Sequence, residues 1–402
     1  MRIGDVSGVG ADAVPTSIGE LDRVLGGGLV AGSVSLIGGE PGIGKSTLVL
    51  QLAGVLAKAG RRVLYVTGEE SATQVRGRAD RLGAIEDQLW LAACSDVTMI
   101  ASLVEEVSPD VLVVDSIQTV HVPGTTGVSG GPAQVRDCAS RLVELAKCRA
   151  MVAILVGQVT KDGELAGPKA LEHVVDTVLS FEGDRHHSLR FLRAVKHRFG
   201  GTGELGLFEM SALGLHEVTD PSALFLADRV AGVAGSVVVP VVEGDRPLLV
   251  EVQALVAQSS LPQPRRSAQG LDSGRVSLLA AVLQRRAMVD LSDRDIYASA
   301  VGGVRIMEPA ADLAVLLAIA TAREGSPFPA DTVACGEVGL VGEVRRVSDE
   351  QRRLGEAVRL GFKRAIVPAS TDMGPAGLHL VKVTHVREAL DFARVPATSN
   401  EE

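Results

Sequence analysis

Short apolar runs alternate with longer amphipathic segments through the first half of the chain. Five of these runs have the length and composition of buried strands, and they lie at residues 34–37, 63–66, 111–114, 151–156 and 178–181. Strands that alternate with helical segments are typical of a mostly parallel sheet covered by helices on both faces. In such sheets, ligands bind beyond the carboxyl ends of the strands. The pattern therefore predicts an α/β domain over residues 14–225, preceded by an N-terminal segment at 1–13.

The second half of the chain shows a different order of elements. Apolar runs at 237–242 and 248–252 flank a turn, and helical patterns follow at 276–286, 311–323 and 350–360. Turn-forming residues near 219–222 and 232–235 mark the change of organisation. This mixed order predicts an α+β domain over residues 235–395 rather than a second doubly wound sheet. The polar residues 396–402 are expected to form a disordered tail.

Residues 39–47 read Gly-Glu-Pro-Gly-Ile-Gly-Lys-Ser-Thr, which fills the pattern of a phosphate-binding loop. A glycine-rich turn could match this pattern by chance, but a strand-like run precedes it and a helical pattern follows, as the motif requires. Lys45 is expected to reach the β- and γ-phosphates of ATP, and Ser46 to bind Mg²⁺. The predicted nucleotide-binding residues are Gly39, Glu40, Pro41, Gly42, Ile43, Gly44, Lys45, Ser46 and Thr47.

Acidic residues follow two of the other predicted strands. Asp115 ends the run Val-Leu-Val-Val-Asp and is predicted to hold Mg²⁺ together with Ser46, the alternative being a helix-capping aspartate. Glu69 and Glu70 follow residues 63–66, and a glutamate there can act as the general base on the attacking water. Glu69 is favoured over Glu70, although either could be an acidic residue in the first turn of a helix.

Two further segments are candidates for sensing the nucleotide. Gln158 follows the run at 151–156 and could hydrogen-bond the γ-phosphate, or it could be an ordinary surface glutamine. Residues 121–133 are rich in glycine, proline and threonine, and they predict a mobile loop that does not pack in a core. Because this loop follows the strand that ends at Asp115, a change of nucleotide state could be transmitted to whatever the loop contacts. The alternative is an inert surface loop.

Composition limits the class of protein. The chain has 402 residues, 46% of them hydrophobic, so two domains are expected. No apolar stretch approaches the ~20 residues of a membrane span, and the N-terminus lacks the apolar segment of a secretory signal, so a cytoplasmic protein without a membrane partner is expected. The formal net charge is −9, and nucleic-acid binding would therefore need locally basic surface.

The four cysteines are scattered and do not form the paired spacing of a zinc site. They are expected to be mostly buried apolar residues, without disulfides. No metal other than nucleotide-bound Mg²⁺ is predicted.

The motifs occur in the order found in RecA-type ATPases, and three segments narrow the likeness further. These are Glu-Leu-Asp-Arg-Val-Leu-Gly-Gly-Gly at 20–28, Tyr-Val-Thr-Gly-Glu-Glu-Ser at 65–71 and Lys-His-Arg-Phe-Gly at 196–200. The chain resembles the RadA (Sms) family of bacterial DNA-repair and recombination ATPases from about residue 14 to residue 395. Two departures are evident: the 402 residues do not contain the four-cysteine pattern of the family's N-terminal zinc module, and His197 replaces the asparagine of the family's Lys-Asn-Arg-Phe-Gly segment.

The resemblance implies roles that the residues alone do not establish. By chemistry alone, Lys196 and Arg198 would be surface charges on an exposed strand, whereas the family implies that they act on the nucleotide of a neighbouring subunit. A homohexameric ring is then expected. The implied function is a DNA-stimulated ATPase that binds single-stranded and branched DNA and drives branch migration, with a RecA-type recombinase as a further expected partner.

The second domain resembles the proteolytic domain of Lon. Lon-type peptidases use a serine that is activated by a lysine. Here Ala310 matches the serine position, and Arg353 matches the lysine position more loosely. Alanine has no nucleophile and arginine stays protonated, so a protease-inactive domain is expected. A KaiC-like signalling ATPase and, against these two residues, an ATP-dependent Lon-type peptidase remain alternatives.

Arginines are frequent in this second domain, and a phosphate-binding surface or a solvated face balanced by acids would both explain them. We expect binding through the DNA backbone, because aromatic residues make up only 3% of the chain. Arg345 and Arg346 would contact phosphates, or else pair with acids such as Glu343 and Asp349. The basic positions are Arg265, Arg266, Arg275, Arg285, Arg286, Arg345, Arg346, Arg352 and Arg353.

Overall fold

The computed structural model describes residues 13–124, 130–158, 171–183 and 188–394. The chain divides into two compact units, with the boundary between Thr219 and Asp220. Within the described ranges, no helix is both long enough and apolar enough to cross a membrane. The predicted N-terminal segment lies almost entirely outside the described residues, and the predicted tail lies wholly outside them.

The described part of the first unit contains a nine-stranded sheet in the order β3-β2-β4-β5-β1-β6-β7-β8-β9. The strands from β3 to β6 in this order are parallel, and β6 to β9 are antiparallel neighbours. The strands are β1 (Val34–Gly39), β2 (Val63–Thr67), β3 (Leu89–Ala93), β4 (Val111–Asp115), β5 (Val152–Val156), β6 (Thr177–Gly183), β7 (Leu189–His197), β8 (Leu205–Ser211) and β9 (Gly214–Glu217).

All five predicted strands of this domain are confirmed. β3, β8 and β9 were not predicted, because β3 is a half-exposed edge strand and β8 and β9 form a short hairpin without a long apolar run. The strand-like alternation after residue 190 is confirmed as part of β7. The helices are α1 (Gly19–Val24), α2 (Lys45–Lys58), α3 (Ala72–Arg81), α4 (Val97–Val107) and α5 (Pro132–Cys148).

Two hydrophobic cores cover the two faces of this sheet. Along β2, Val63 and Tyr65 join the core that contains α2, whereas Leu64 and Val66 join the core that contains α4 and α5. Neighbouring strand residues point to opposite faces, so a continuous apolar run is buried on both sides. The predicted arrangement of helices on both faces is confirmed.

The segment after β4 differs from the mobile loop that was predicted for residues 121–133. His121 forms a β-bridge with Asp96, and Val122 is buried in a core. Helix α5 begins at Pro132, where a proline is well tolerated because the first helical N–H has no partner. The prediction of a loop is therefore wrong at residues 121–122 and 132–133, whereas residues 123–124 and 130–131 form turns or irregular structure. Residues 125–129 lie outside the described residues, and the prediction is not tested there.

The cysteines also differ in part from expectation. Cys138 and Cys335 are buried and Cys94 is half-buried, but Cys148 is exposed at the last residue of α5. All four are free thiols.

The second unit contains a mixed seven-stranded sheet in the order β12-β13-β11-β10-β14-β17-β18 and a two-stranded sheet of β15 and β16. The strands are β10 (Ser236–Glu243), β11 (Arg246–Gln258), β12 (Arg266–Gln269), β13 (Arg294–Ala300), β14 (Thr332–Ala334), β15 (Glu337–Val338), β16 (Val344–Arg345), β17 (Arg364–Pro368) and β18 (His379–Val383). The helices are α6 (Pro221–Leu226), α7 (Ser273–Arg286), α8 (Asp312–Glu324), α9 (Glu350–Arg359) and α10 (Val386–Arg394).

The mixed order of strands and helices predicted for this half is confirmed, including the β10–β11 hairpin and the three helices. The boundary falls earlier than residue 225, because α6 packs within the second unit. Its Ser222 hydroxyl donates to the Glu356 carboxylate and accepts from the Leu249 backbone N–H at 3.0 Å. A hydrogen bond from a strand of the second unit to α6 ties this helix to that unit.

Arg353 and Glu308 form an ion pair in the second unit, in which the arginine is buried and the glutamate is partly exposed. The Arg353 side chain, 1% exposed, donates to both carboxylate oxygens of Glu308, at 2.7 and 2.5 Å. Its remaining donors reach the carbonyl oxygens of Ser348 at 2.7 Å and Pro240 at 3.0 Å. The Glu308 carboxylate also accepts from the backbone N–H of Val242 at 2.9 Å. Strand β10 and helix α9 are thus joined through one guanidinium group.

We predict that Arg353→Ala will lower the local stability of the second unit by about 1–3 kcal/mol, because the Pro240 and Ser348 carbonyl oxygens and the Glu308 carboxylate would lose a charged donor. Hydrogen exchange of peptides from β10 and α9 measures this change. Arg352→Ala is the matched control, since the neighbouring Arg352 pairs with Asp245 at the surface; its cost should not exceed about 1 kcal/mol. Equal effects of the two substitutions would contradict the prediction.

Candidate nucleotide-binding and hydrolysis site

The phosphate-binding loop lies between the end of β1 and the start of α2. A Cβ on Gly39 would lie 2.3 Å from the Phe181 carbonyl oxygen, so a side chain does not fit there. A Cβ on Gly44 would lie 2.4 Å from Met210 Cε, the end of a flexible side chain that can move. Gly44 also has a φ of 115°, in the region that favours glycine. Close packing against β6 therefore requires glycine at 39, and backbone conformation favours glycine at 44.

Lys45 is the first residue of α2, and its side chain folds over the loop. The ammonium group donates to the carbonyl oxygens of Gly39 at 2.8 Å and Glu40 at 2.9 Å. Burial lowers the pKa of Lys45 from its usual value, and the negative charges of Asp115, Glu69 and Glu40 oppose that shift. The charges of Asp115 and Glu69, two of the acids predicted to act in the site, therefore influence Lys45.

Asp115 ends β4, and Tyr65 of the neighbouring β2 holds its carboxylate. The Tyr65 hydroxyl donates to Asp115 Oδ2 at 2.7 Å. Burial, together with the adjacent Asp115 charge, raises the pKa of Tyr65 well above its usual value, so the phenol stays protonated and serves as a donor. Tyr65 was missed as a site residue, although a hydroxyl group in the middle of a wholly apolar strand was a signal that could have found it.

Glu69 and Glu70 have different partners. Glu69 Oε1 accepts from the Ser116 hydroxyl at 2.5 Å and from Gln158 Nε2 at 3.2 Å. Glu70 instead pairs with Arg78 of α3. Glu69 is thus connected to the ends of β4 and β5, where Asp115 and Gln158 lie, whereas Glu70 faces its own helix.

The donor set at this edge of the sheet fits Mg²⁺, a hard cation that prefers oxygen ligands. Asp115 Oδ1 accepts no hydrogen bond from the described residues, because Tyr65 uses Oδ2. Ser46 lies beside Lys45 in the first turn of α2. A group of three or more His, Cys, Asp or Glu side chains suited to a metal is not found in the described ranges. One hydroxyl and one carboxylate leave the remaining Mg²⁺ positions to phosphate oxygens and water.

Lys196 and Arg198 lie at the opposite end of the strands of the same sheet. Lys196 donates to the carbonyl oxygens of Glu172 and Val175, at 2.8 Å for Val175, and Arg198 pairs with Asp176 at 3.3 Å. Asp176 in turn accepts from the N–H of Val34, the first residue of β1. The loop follows the last residue of β1, so about five residues of strand, ~17 Å, separate these cations from it. The structure does not bring them together with Lys45 within one chain.

His197 lies between these two cations. Its Nδ1 is 3.1 Å from the Thr177 hydroxyl, and its ring meets Phe199 edge to face. Its Nε2 is buried without a hydrogen-bond partner among the described residues. The position therefore accommodates histidine through one hydrogen bond and one ring contact.

Comparison with known proteins agrees with this geometry. A family model described as "ATPase: KaiC" matches residues 14–89, which include the phosphate-binding loop and Glu69. The chain is 51% identical to "DNA repair protein RadA" of Bacillus subtilis, over 94% of the chain and 83% of that protein. It is 50% identical to the protein of that name in Mycolicibacterium smegmatis (94% and 82%) and 47% identical to that in Streptococcus pneumoniae (97% and 93%).

These relatives cover nearly the whole chain, and the KaiC match agrees with a RecA-like sheet that carries a complete phosphate-binding loop. Such ATPases use ATP and Mg²⁺. The chain belongs to the RadA family of bacterial DNA repair ATPases.

Proposed function

We propose that this RadA-family chain works as a hexameric ring whose ATPase is stimulated by DNA, and that it drives branch migration on single-stranded and branched DNA. The observation that carries the proposal is the separation of Lys196 and Arg198 from the phosphate-binding loop of their own chain. The family resemblance implies that Lys196 and Arg198 are needed for hydrolysis. If they are, a distance of about 17 Å from their own loop means that they act on another subunit. A closed ring supplies that subunit at every site.

The residues at the loop have complementary roles in this proposal. Lys45 binds the β- and γ-phosphates, and Ser46 and Asp115 hold Mg²⁺, which offsets charge on the phosphate oxygens. Glu69 accepts the proton of the attacking water, and Ser116 and Gln158 fix its carboxylate through the hydrogen bonds described above. Lys196 and Arg198 of a neighbouring subunit offset the charge that develops on the γ-phosphate.

For the second unit we propose a Lon-like fold without protease activity. Ala310, at the position matched to the Lon serine, is buried and carries no hydroxyl. Arg353 is fully engaged by Glu308 and two backbone carbonyls, and an arginine cannot serve as a base. These contacts disfavour the peptidase alternative. A KaiC-like signalling ATPase would share the first unit but would not need the second.

The arginines of the second unit differ in their availability for DNA. Arg345 pairs with Glu343, and Arg346 pairs with Glu350 at 3.2 Å and Asp372 at 2.7 Å rather than with Asp349. Arg275 pairs with the buried Asp312. The structure therefore favours the ion-pair interpretation for these side chains.

A different group of cations lines one open pocket. Its residues are Arg285, Arg286, Val341, His385, Arg387 and Glu388. The Arg285 side chain is exposed and has no acidic partner among the described residues. The Glu388 carboxylate is engaged by the backbone and hydroxyl of Thr384, at 2.8 and 2.7 Å. Three arginines with one engaged acid form the basic surface that we propose for the DNA backbone.

Lys45→Ala should abolish ATP hydrolysis while the fold is retained, because the ammonium group contacts the loop and not the apolar core. Phosphate release and circular dichroism measure the two properties. Near-normal hydrolysis by a folded Lys45→Ala protein would remove the loop from the mechanism.

Mixing two inactive variants tests action across a subunit boundary. Lys45→Ala rings and Arg198→Ala rings should each be inactive, and after subunit exchange they should regain part of the activity, since a mixed ring contains some intact interfaces. Steady-state hydrolysis against mixing ratio is the measurement. Full activity of Arg198→Ala alone would exclude the proposed role.

The salt dependence of DNA binding separates the two groups of arginines. The double variant Arg285→Ala/Arg387→Ala should reduce the slope of log affinity against log salt by ~1.4 on single-stranded DNA, at ~0.7 for each lost phosphate contact. The matched control is Arg345→Ala/Arg346→Ala, whose side chains pair with acids and whose slope should not change. Fluorescence anisotropy at several salt concentrations gives both slopes. The opposite result would assign the DNA surface to Arg345 and Arg346.

A further inference from the structure

A buried arginine from β7 contacts the phosphate-binding loop. Arg190 is 6% exposed, and its Nε donates to the carbonyl oxygen of Ile43 at 2.9 Å. A second donor, Nη1, reaches the carbonyl oxygen of Leu189 at 2.8 Å. Ile43 itself is 1% exposed. The guanidinium group therefore holds the turn of the loop immediately before Gly44.

The neighbouring strand makes room for this side chain. Gly183 of β6 pairs with Arg190 in the sheet register, and a Cβ on Gly183 would lie 2.7 Å from Arg190 Cδ. The same Cβ would lie 3.3 Å from Ile43 Cδ1. Any side chain at 183 would thus push against both Arg190 and the loop. The glycine, the arginine and the isoleucine form one packed contact.

The contact fixes the direction of a peptide group. In a trans peptide the C=O and the following N–H point in opposite directions. Because Arg190 holds the Ile43 carbonyl on its own side, the N–H of Gly44 points away from Arg190. Within the described ranges this N–H donates to no protein acceptor. An N–H that is turned away from the sheet, just before Lys45, is free to donate to a phosphate oxygen.

We propose that Arg190 is a positioning residue, which orients the Ile43–Gly44 peptide so that the Gly44 N–H binds the β-phosphate of the nucleotide. Arg190 does not touch the nucleotide in this proposal; it acts through the backbone of the loop. Because ATP and ADP both carry a β-phosphate, the residue serves both equally. The inference rests on nucleotide binding by the loop and does not depend on the ring or on the role of Arg198.

Arg190→Met and Arg190→Lys test the proposal. Methionine keeps an unbranched apolar stem but has no donor. Arg190→Met should therefore weaken the binding of ADP and of ATP by about tenfold each, which corresponds to the loss of one hydrogen bond from a charged group. KM for ATP should rise by a similar factor, while kcat changes less than threefold. Lysine can donate one hydrogen bond to a single carbonyl, so Arg190→Lys should recover part of the affinity.

The control is Arg193→Ala on the same strand. The Arg193 side chain pairs with Glu182 and, because side chains alternate along a strand, lies on the other face of the sheet from Arg190. It should leave both nucleotide affinities unchanged. Titration calorimetry with ADP and a non-hydrolysable ATP analogue, with thermal unfolding of every variant, gives the required values. Unchanged affinity in Arg190→Met would overturn the proposal, as would equal losses of affinity and melting temperature in the methionine and lysine variants. If Arg198→Ala loses hydrolysis but keeps normal ADP affinity, that result bears on the proposed ring and not on the role of Arg190.

Discussion

The chemistry of the first unit depends on the register of its parallel strands. Thr67 pairs with Asp115, and Asp115 pairs with Val156, so β2, β4 and β5 end at the same level. Ile37 also pairs with Val156, which places the start of the phosphate-binding loop beside them. A shift of two residues in one strand would move its acid about 7 Å along the sheet. The shared level of the strand ends lets separate parts of the sequence form one site.

At these strand ends, burial and the nearby negative charges shift the pKa of Lys45 in opposite directions. Lys45 is nearly enclosed, and the negative charges of Asp115, Glu69 and Glu40 oppose the lowering of its pKa by burial. Asp115 is held by a neutral phenol instead of a cation. A cation at Tyr65 would compete with Mg²⁺ for the carboxylate, whereas a hydroxyl fixes one oxygen and leaves the other for a metal. The Tyr65 hydroxyl thus fixes the position of the Asp115 carboxylate without itself adding a positive charge.

Much of this site could be predicted from sequence because its residues follow apolar runs at short range. The loop at 39–47, Asp115 and Glu69 were predicted in this way, and all five predicted strands of the first unit are present. Tyr65 was not found, because its role depends on which strand lies next to β2. The same limit applies to Arg190, which lies far along the chain from the loop that it contacts.

Charge partners were the least predictable feature. Arg346 was expected either to bind phosphate or to pair with Asp349, but it pairs with Glu350 and with Asp372 from a distant loop. Arg353 was grouped with the surface arginines and is instead buried against Glu308. Local sequence gives the sign of a charge but not the side of the fold on which it lies. Amphipathic helices such as α9 carry arginines on both sides.

The buried Arg353 also limits how this fold can change in evolution. A lysine at 353 would keep the charge but lose the planar fork that reaches Glu308 and two backbone carbonyls at once. Glu308 would then keep its carboxylate with an incomplete set of donors. A lysine at 353 would therefore make the second unit less stable unless the residues around it changed as well. Two stable sequences that are separated by unstable intermediates interconvert rarely, so descent from this chain should preserve the arginine.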